Sequence, residues 1–328
     1  MTDILLSLLA GALVSVPCCV IVPRLLVHGG FLDMPGERSS HVRPTPKGGG
    51  VGIVLAFVAV AVAFDMPMHL WLPLFALAAL SFANDLRGIA PGPRLIAQFL
   101  AAAVALGGVW WSGHAAWSGF LLLPALLFVV ATTNCFNFMD GINGIAGITG
   151  ITAFGSLVAY GAMHDASLPL LLPTVAALGG VIGFLPFNMP RARLFMGDAG
   201  SIFLGFLFAL TVCISSRSWT EFFVLASFLY PFYADEAVTM VERIWRGESL
   251  MKPHRRHLYQ FLANELGVAH WKVSTGYGLV QLAVILLAVV AGRQGLGAVL
   301  ALDLVVLGMW AAVHWSVKRR FFLEHGEA

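Results

Sequence analysis

The sequence predicts an all-α polytopic membrane protein, with about eleven transmembrane helices in a single integral membrane domain over residues 1–328. The N-terminus is expected outside and the C-terminus in the cytoplasm. Three observations carry this. First, 59% of the 328 residues are hydrophobic and 11% are charged, against roughly 45–50% and 25% in soluble domains. Mean hydropathy is +0.86. So few charges would leave a large apolar surface facing water. Second, apolar runs of bilayer length recur along the chain; a spanning helix needs about 20 such residues. Third, Lys and Arg fall on alternate connections. The same composition excludes disorder, collagen and a disulfide scaffold. A net charge of +2 gives no global field for nucleic acid, so no nucleic-acid partner is expected.

The candidate spans are 4–27, 48–64, 70–84, 95–111, 119–137, 141–160, 168–187, 199–215, 220–240, 271–291 and 297–316. The first is not read as a signal peptide. It carries Asp3 and has no basic residue before Arg24, so the positive leader flank is missing. Its positive flank follows the apolar run, which places the N-terminus outside. Alternation then puts 17 of the 19 Lys and Arg on the inner side, from Arg24 to Arg320, and leaves only Arg217 and Arg293 outside. The outer connections are short. The inner ones, at 28–47, 85–94, 188–198 and 242–270, are longer and richer in polar residues. Chemistry is therefore expected on the cytoplasmic face. Cys18, Cys19, Cys135 and Cys213 lie in or beside apolar runs with no ligand spacing and read as small buried hydrophobes. Gly141, Gly144, Gly147 and Gly150 recur every third residue, as on a helix face that packs closely.

The polar residues that interrupt these runs fall into six groups. Residues 33–50 combine Pro, Gly, Ser, Thr and His with Lys47 and three consecutive glycines. Two readings stand equal: a phosphate cradle of backbone N–H groups beside Lys47, or a positive flank on lipid headgroups. Asn84-Asp85-Leu-Arg87, followed by Arg94, is either a solvated helix end or a functional carboxylate at the hydrocarbon boundary. Asn134-Cys-Phe-Asn137-Phe-Met-Asp140-Gly-Ile-Asn143-Gly places three amides and a carboxylate at intervals of three. Helix–helix hydrogen bonding accounts for one or two of them; four together point to a ligand or metal. In Phe195-Met-Gly-Asp198-Ala-Gly-Ser, Asp198 is a helix N-cap or a ligand for a hard cation such as Mg²⁺. Asp235 and Glu236 lie inside an apolar run, Glu236 within reach of Arg243 or water. His254-Arg255-Arg256-His257 reads as an anion-binding cluster. A zinc site is the weaker reading there, with two His and no nearby thiol. Under the charge-derived topology all of these face the same side. Acids and amides opposite a ring of bases suit metal-dependent phosphoryl transfer.

On these motifs the chain resembles the polyprenyl-phosphate N-acetylhexosamine-1-phosphate transferases, from about residue 31 to residue 259. The tracts 134–144 and 195–201 and the run His254-Arg-Arg-His257-Leu-Tyr-Gln carry the resemblance. It implies a bacterial inner-membrane enzyme that uses a UDP-linked N-acetylamino sugar and undecaprenyl phosphate. The lipid phosphate attacks the β-phosphorus, UMP leaves, and a lipid-linked surface glycan is begun. It further implies that Asp198 and Asn137 hold Mg²⁺ (or Mn²⁺), and that Asp85 and Asp140 position or deprotonate the lipid phosphate. Arg94, His254, Arg255, Arg256 and His257 would bind the pyrophosphate, and Lys47 and Asn143 would lie on the nucleotide side. Asp235 receives no role. Three departures are visible. Asn84 stands where the family usually has a first Asp, and Asn143 where many members have Asp. His-Arg-Arg-His replaces the His-His-His of the peptidoglycan translocase, which is closer to the O-antigen-initiating branch of lipopolysaccharide synthesis. Asn84 keeps open a second reading, a catalytically impaired relative that binds lipid phosphate. A secondary transporter fits less well, because the charges gather at one face and no repeat is visible. The sugar stays open among GlcNAc, FucNAc and QuiNAc, and a homodimer is compatible with the sequence.

Overall fold

The computed structural model describes residues 2–28, 31–36, 40–113, 119–163, 171–249 and 254–324. Arg38, Lys252 and the last four residues, which enter the charge count or the tail, lie outside the described residues. Those described form thirteen α-helices and no strand. They are α1 (Thr2–His28), α2 (Gly50–Ala63), α3 (Met68–Arg87), α4 (Pro91–Trp111), α5 (Leu122–Phe138), α6 (Ile145–Met163) and α7 (Leu171–Asn188). Then come α8 (Asp198–Ser215), α9 (Trp219–Ala226), α10 (Tyr230–Trp245), α11 (Leu258–Asn264), α12 (His270–Gly292) and α13 (Leu296–Glu324).

Eight of these helices are long and apolar enough to cross a membrane, and α2 and α5 are shorter apolar helices. The span expected at 220–240 is α9 and α10, joined by a 3-10 turn at Ser227–Leu229. Pro231 at the start of α10 lacks the N–H that would continue the ladder. The interruption is satisfied inside the protein, as a low-dielectric setting demands. Gln281 Nε2 donates to the Phe228 carbonyl at 2.7 Å, and Ser227 Oγ donates to Asp303 of α13 at 3.0 Å.

Helix α8 is the centre of the bundle. Every residue from Ala199 to Ser215 is buried, which explains its apolar character on all faces. It packs against α2, α3, α4 and α5. Glycines bring α1 against α7: a Cβ on Gly179 would lie 2.1 Å from the Leu8 carbonyl. This is the small-residue packing that lets helices associate where lipid is the solvent. By contrast, α13 is largely exposed along its apolar length, as a lipid-facing helix would be.

Two sequence expectations change here. The span expected at 141–160 begins at Ile145, so Gly141 and Gly144 belong to a connection rather than a helix face. Gly144 has φ 86° and a Cβ there would meet Met189 Sδ at 2.5 Å. Glycine is required by the turn itself. The expected span 297–316 runs on to Glu324 and carries Lys318 inside the helix.

Candidate active site

The site begins where α3 meets α8. Gly88, at φ 68°, ends α3, and Pro91 opens α4, so Asn84, Asp85 and Arg94 share one tight helix–helix corner. The residue before α8 is Gly197, at φ 76°, and it has no side chain to cap the helix. Asp85 does so from α3. Its two oxygens accept the backbone N–H of Asp198 at 3.1 Å and of Ala199 at 3.3 Å. A carboxylate at a helix N-terminus satisfies orphan donors and meets the positive end of the dipole. Even a Cβ on Gly197 would stand 2.7 Å from Asp85 Oδ2. Both Asp85 oxygens thus face the N-terminus of α8, beside the Asp198 cluster. Asp198 is not the cap but the first helical residue.

Asp198 is the meeting point. Its Oδ2 accepts from Asn84 Nδ2 at 2.7 Å and from Arg94 at 2.8 Å. Its Oδ1 accepts from Asn137 Nδ2 at 3.1 Å, and the same amide donates to Ser201 Oγ at 2.8 Å. Asn84 also accepts the Ile89 N–H at 2.6 Å. An amide can donate to one group and accept from another, whereas an ionised carboxylate only accepts. Asn84 is thus a working member of the cluster rather than a lost acid. Asn137 and Arg94, expected on metal and on pyrophosphate, are both placed as donors to Asp198. Asn134 pairs instead with Gln98 of α4, at 2.6 Å, as a helix–helix link.

Beside this cluster lies a cavity of about 270 Å³. Five expected residues line it: Lys47, Asn137, Asp140, Asn143 and Asp198. Lys47 bonds Asp33 at 3.0 Å. Burial works against its charge, but Asp33, then Asp85 and Asp198, outweigh this and its pKa is raised. For Asp140, burial and then the Asp198 and Asp85 charges push the carboxyl up to about 7. The backbone of Asn143 is held by α12: its N–H donates to His270 Nδ1 at 3.3 Å, and Ser274 Oγ donates to its carbonyl at 2.8 Å. Asp33, Ser40, His41, Asn188, Gln260 and His270 also line the cavity and lie outside the set expected from sequence. Asp33, Ser40 and His41 share the Pro/Gly tract with Lys47. Asn188 sits at the end of α7, where it accepts the Gly144 N–H at 2.6 Å. Gln260 ends the His254-Arg-Arg-His257-Leu-Tyr-Gln run, and no local pattern marks His270.

The glycines at 48–50 and the His254–His257 run sit outside the cavity lining. The N–H groups of Gly48 and Gly49 donate to the Phe195 carbonyl and that of Gly50 to Met196. They are spent inside the protein and form no phosphate cradle. The glycines are there because α2 and α8 nearly touch: a Cβ on Gly50 would lie 2.2 Å from Gly200 Cα. The His254–His257 run does not line the cavity either. Arg255 pairs with Glu265 at 2.9 Å and Arg256 with Glu248 at 2.7 Å. His257 is buried, 3.5 Å from Glu236. Burial, then neighbouring cations, lower His254 to about 4. Burial lowers His257 to about 4 as well, although Asp235 opposes it. Both rings are neutral at pH 7 and add no positive charge. Asp235 now has a structural role. Fully buried, it accepts from Leu258 N at 2.9 Å, Tyr259 N at 3.4 Å and Tyr277 Oη at 2.6 Å. It caps α11 from another helix, as Asp85 caps α8.

Among the described residues, no group of three or more His, Cys, Asp or Glu side chains is arranged as a metal site. Asp198 and Asp140 nevertheless line one cavity. Mg²⁺ binds through one or two carboxylates plus water and substrate phosphates, and the pair fits that pattern. Asn137, as placed, turns its nitrogen to Asp198 and would orient that carboxylate.

Residues 67–216 match glycosyl transferase family 4, a stretch that holds Asn84, Asp85, Arg94, Asn137, Asp140, Asn143 and Asp198. A phospho-N-acetylmuramoyl-pentapeptide-transferase of Lacticaseibacillus paracasei is 27% identical over 203 residues, 54% of this chain and 63% of that protein. A decaprenyl-phosphate N-acetylglucosaminephosphotransferase of Mycobacterium leprae is 28% identical over 286 residues, covering 73% of this chain and 71% of its own. An undecaprenyl-phosphate alpha-N-acetylglucosaminyl 1-phosphate transferase of Thermotoga maritima is 29% identical over 252 residues, covering 74% and 75%. The polar centre built by α3, α4, α5 and α8 therefore lies in a segment similar to glycosyl transferase family 4, and relatives of the chain are named as polyprenyl-phosphate sugar-phosphate transferases.

Proposed function

We propose that the chain is a multi-pass membrane phosphoglycosyl transferase that moves an N-acetylhexosamine-1-phosphate from a UDP-sugar to undecaprenyl phosphate. One observation carries this reading: Asp198, Asp140 and Lys47 line one polar cavity at the end of an otherwise apolar bundle. A lipid phosphate oxygen forms the new bond to the β-phosphorus of the donor. The bond from that phosphorus to the bridging oxygen breaks, and UMP leaves with the electron pair. With a second phosphate pKa near ~6, the lipid phosphate is largely dianionic at neutral pH and needs no covalent enzyme intermediate. Bound Mg²⁺, held by Asp198 and Asp140, would offset the charge gathering on the pyrophosphate. Lys47 meets the donor phosphates. Arg94 and Asn84 keep Asp198 aimed, and Asp85 fixes the helix end from which Asp198 projects. Asn143 faces the nucleotide. Arg255 and Arg256, a few residues before Gln260 of the cavity lining, would reach the donor diphosphate. The site works on the cytoplasmic face of the bacterial inner membrane, with eleven crossings and the N-terminus outside. The O-antigen branch is the proposed setting.

Purified protein with Mg²⁺, undecaprenyl phosphate and a panel of UDP-N-acetylamino sugars tests this. UMP release with one sugar is expected. Lipid-phosphate binding without UMP from any sugar would favour the impaired relative. Asn84→Asp gives a second test. It places a carboxylate where Asp198 now receives a donor 2.7 Å away. The variant is expected to melt about one to two degrees below the parent in EDTA for each kcal/mol of lost hydrogen bonding. Mg²⁺ should restore most of the loss by screening the paired carboxylates. Equal melting in EDTA would contradict the role given to Asn84.

A further inference from the structure

The C-terminal part of α13 lies beyond the sequence motifs and beyond the segment that matches the family. It nevertheless carries two deeply buried ionisable side chains, His314 at 0% exposure and Lys318 at 4%. Both close on Glu242 of α10. Lys318 Nζ lies 2.5 Å from Glu242 Oε2, and His314 Nε2 lies 2.9 Å from the same oxygen. On the other oxygen stand Arg246 at 3.1 Å and Arg256 at 3.7 Å. Lys318 also donates to the Arg256 carbonyl at 2.7 Å.

A buried ion cluster of this kind is weak as a source of stability, because desolvation offsets its attraction. Its geometry has a more specific consequence. Residues 256–259 are gripped at both ends, by Lys318 and Glu242 at Arg256 and by Asp235 at Leu258 and Tyr259. The next residue, Gln260, lines the cavity. Aromatic contacts flank the grip: Trp245 stacks on Trp315 with centroids 5.7 Å apart, and Phe261 meets Phe321 edge-on at 5.2 Å.

We infer that Lys318 and His314 of α13 are positioning residues, which hold the Arg256–Gln260 segment in register with the cavity through Glu242. The inference rests on the proposed function, in which this segment meets the diphosphate of the donor. Held in place beforehand, the segment gives up less freedom when the donor binds.

The test is affinity for UDP in Mg²⁺, measured on the purified full chain with undecaprenyl phosphate binding in parallel. Lys318→Met should weaken UDP about tenfold or more, as expected for loss of a charged hydrogen bond. Lys318→Arg should recover most of that, and lipid-phosphate affinity should stay unchanged. His314→Gln, which keeps a polar side chain, should weaken UDP in the same direction by a smaller factor and serves if Lys318→Met does not fold. Arg256→Ala is the reference. If it weakens UDP while Lys318→Met and His314→Gln do not, the positioning role is overturned and the proposed function stands. If both ligands weaken equally in Lys318→Met, α13 acts only on the fold and the inference fails. If the parent protein binds no UDP, the proposed function fails and takes the inference with it.

Discussion

Asp198→Ala is expected to lower UMP release about 10³-fold, the scale on which loss of one pre-aimed charged group is felt. Three side chains converge on this carboxylate: Asn84, Arg94 and Asn137. Its removal strips the cavity of an anionic wall and leaves the Arg94 guanidinium without its partner. Melting should change far less than activity, since Asp198 is half-buried and the cap on α8 is supplied by Asp85. Rates with saturating Mg²⁺ and both substrates, set beside a thermal melt in detergent, separate the two effects. Activity within about tenfold of the parent would remove Asp198 from the proposed chemistry.

Asp235→Ala should give the largest loss of stability. Its carboxylate has no exposure and accepts from two backbone N–H groups of α11, from Tyr277 and from Thr239. Truncation leaves these buried donors unsatisfied, at about 1–3 kcal/mol each, so a total of about 3 kcal/mol or more follows. The effect is local in origin. The segment before α11 should loosen, and trypsin should reach Arg255 and Arg256 sooner than in the parent. Asp235→Asn keeps one acceptor and should fall between the two. Digestion and melting identical to the parent would contradict the capping role.

The apolar architecture was legible because length and hydropathy are local properties. Ten of the expected spans correspond to apolar helices and the remaining one to α9 and α10. The break at Ser227–Leu229 was not legible, since the Phe228 carbonyl it frees is met by Gln281 from a distant helix. The site was legible as a set of polar intruders, and Lys47, Asn137, Asp140, Asn143 and Asp198 do come together. Their individual roles were less so. Asp85 engages α8 from 113 residues away, and nothing around Asp85 announces that. Glycine is ambiguous at 48–50 and at 141–144, because one residue serves close packing, tight turns and anion contact alike. The acids that neutralise or surround the His254–His257 run lie in α10 and beyond, at Glu236, Glu242, Glu248 and Glu265, so the local charge pattern does not show them.

The central claim is that a sugar leaves UDP together with its β-phosphate. A UDP-N-acetylhexosamine labelled with ³²P at the β-phosphorus, incubated with the protein, Mg²⁺ and undecaprenyl phosphate, reads this directly. Label is expected in the lipid fraction, with unlabelled UMP appearing in equal amount. Label that leaves the sugar as UDP, or that stays in the intact donor for every sugar offered, would contradict it.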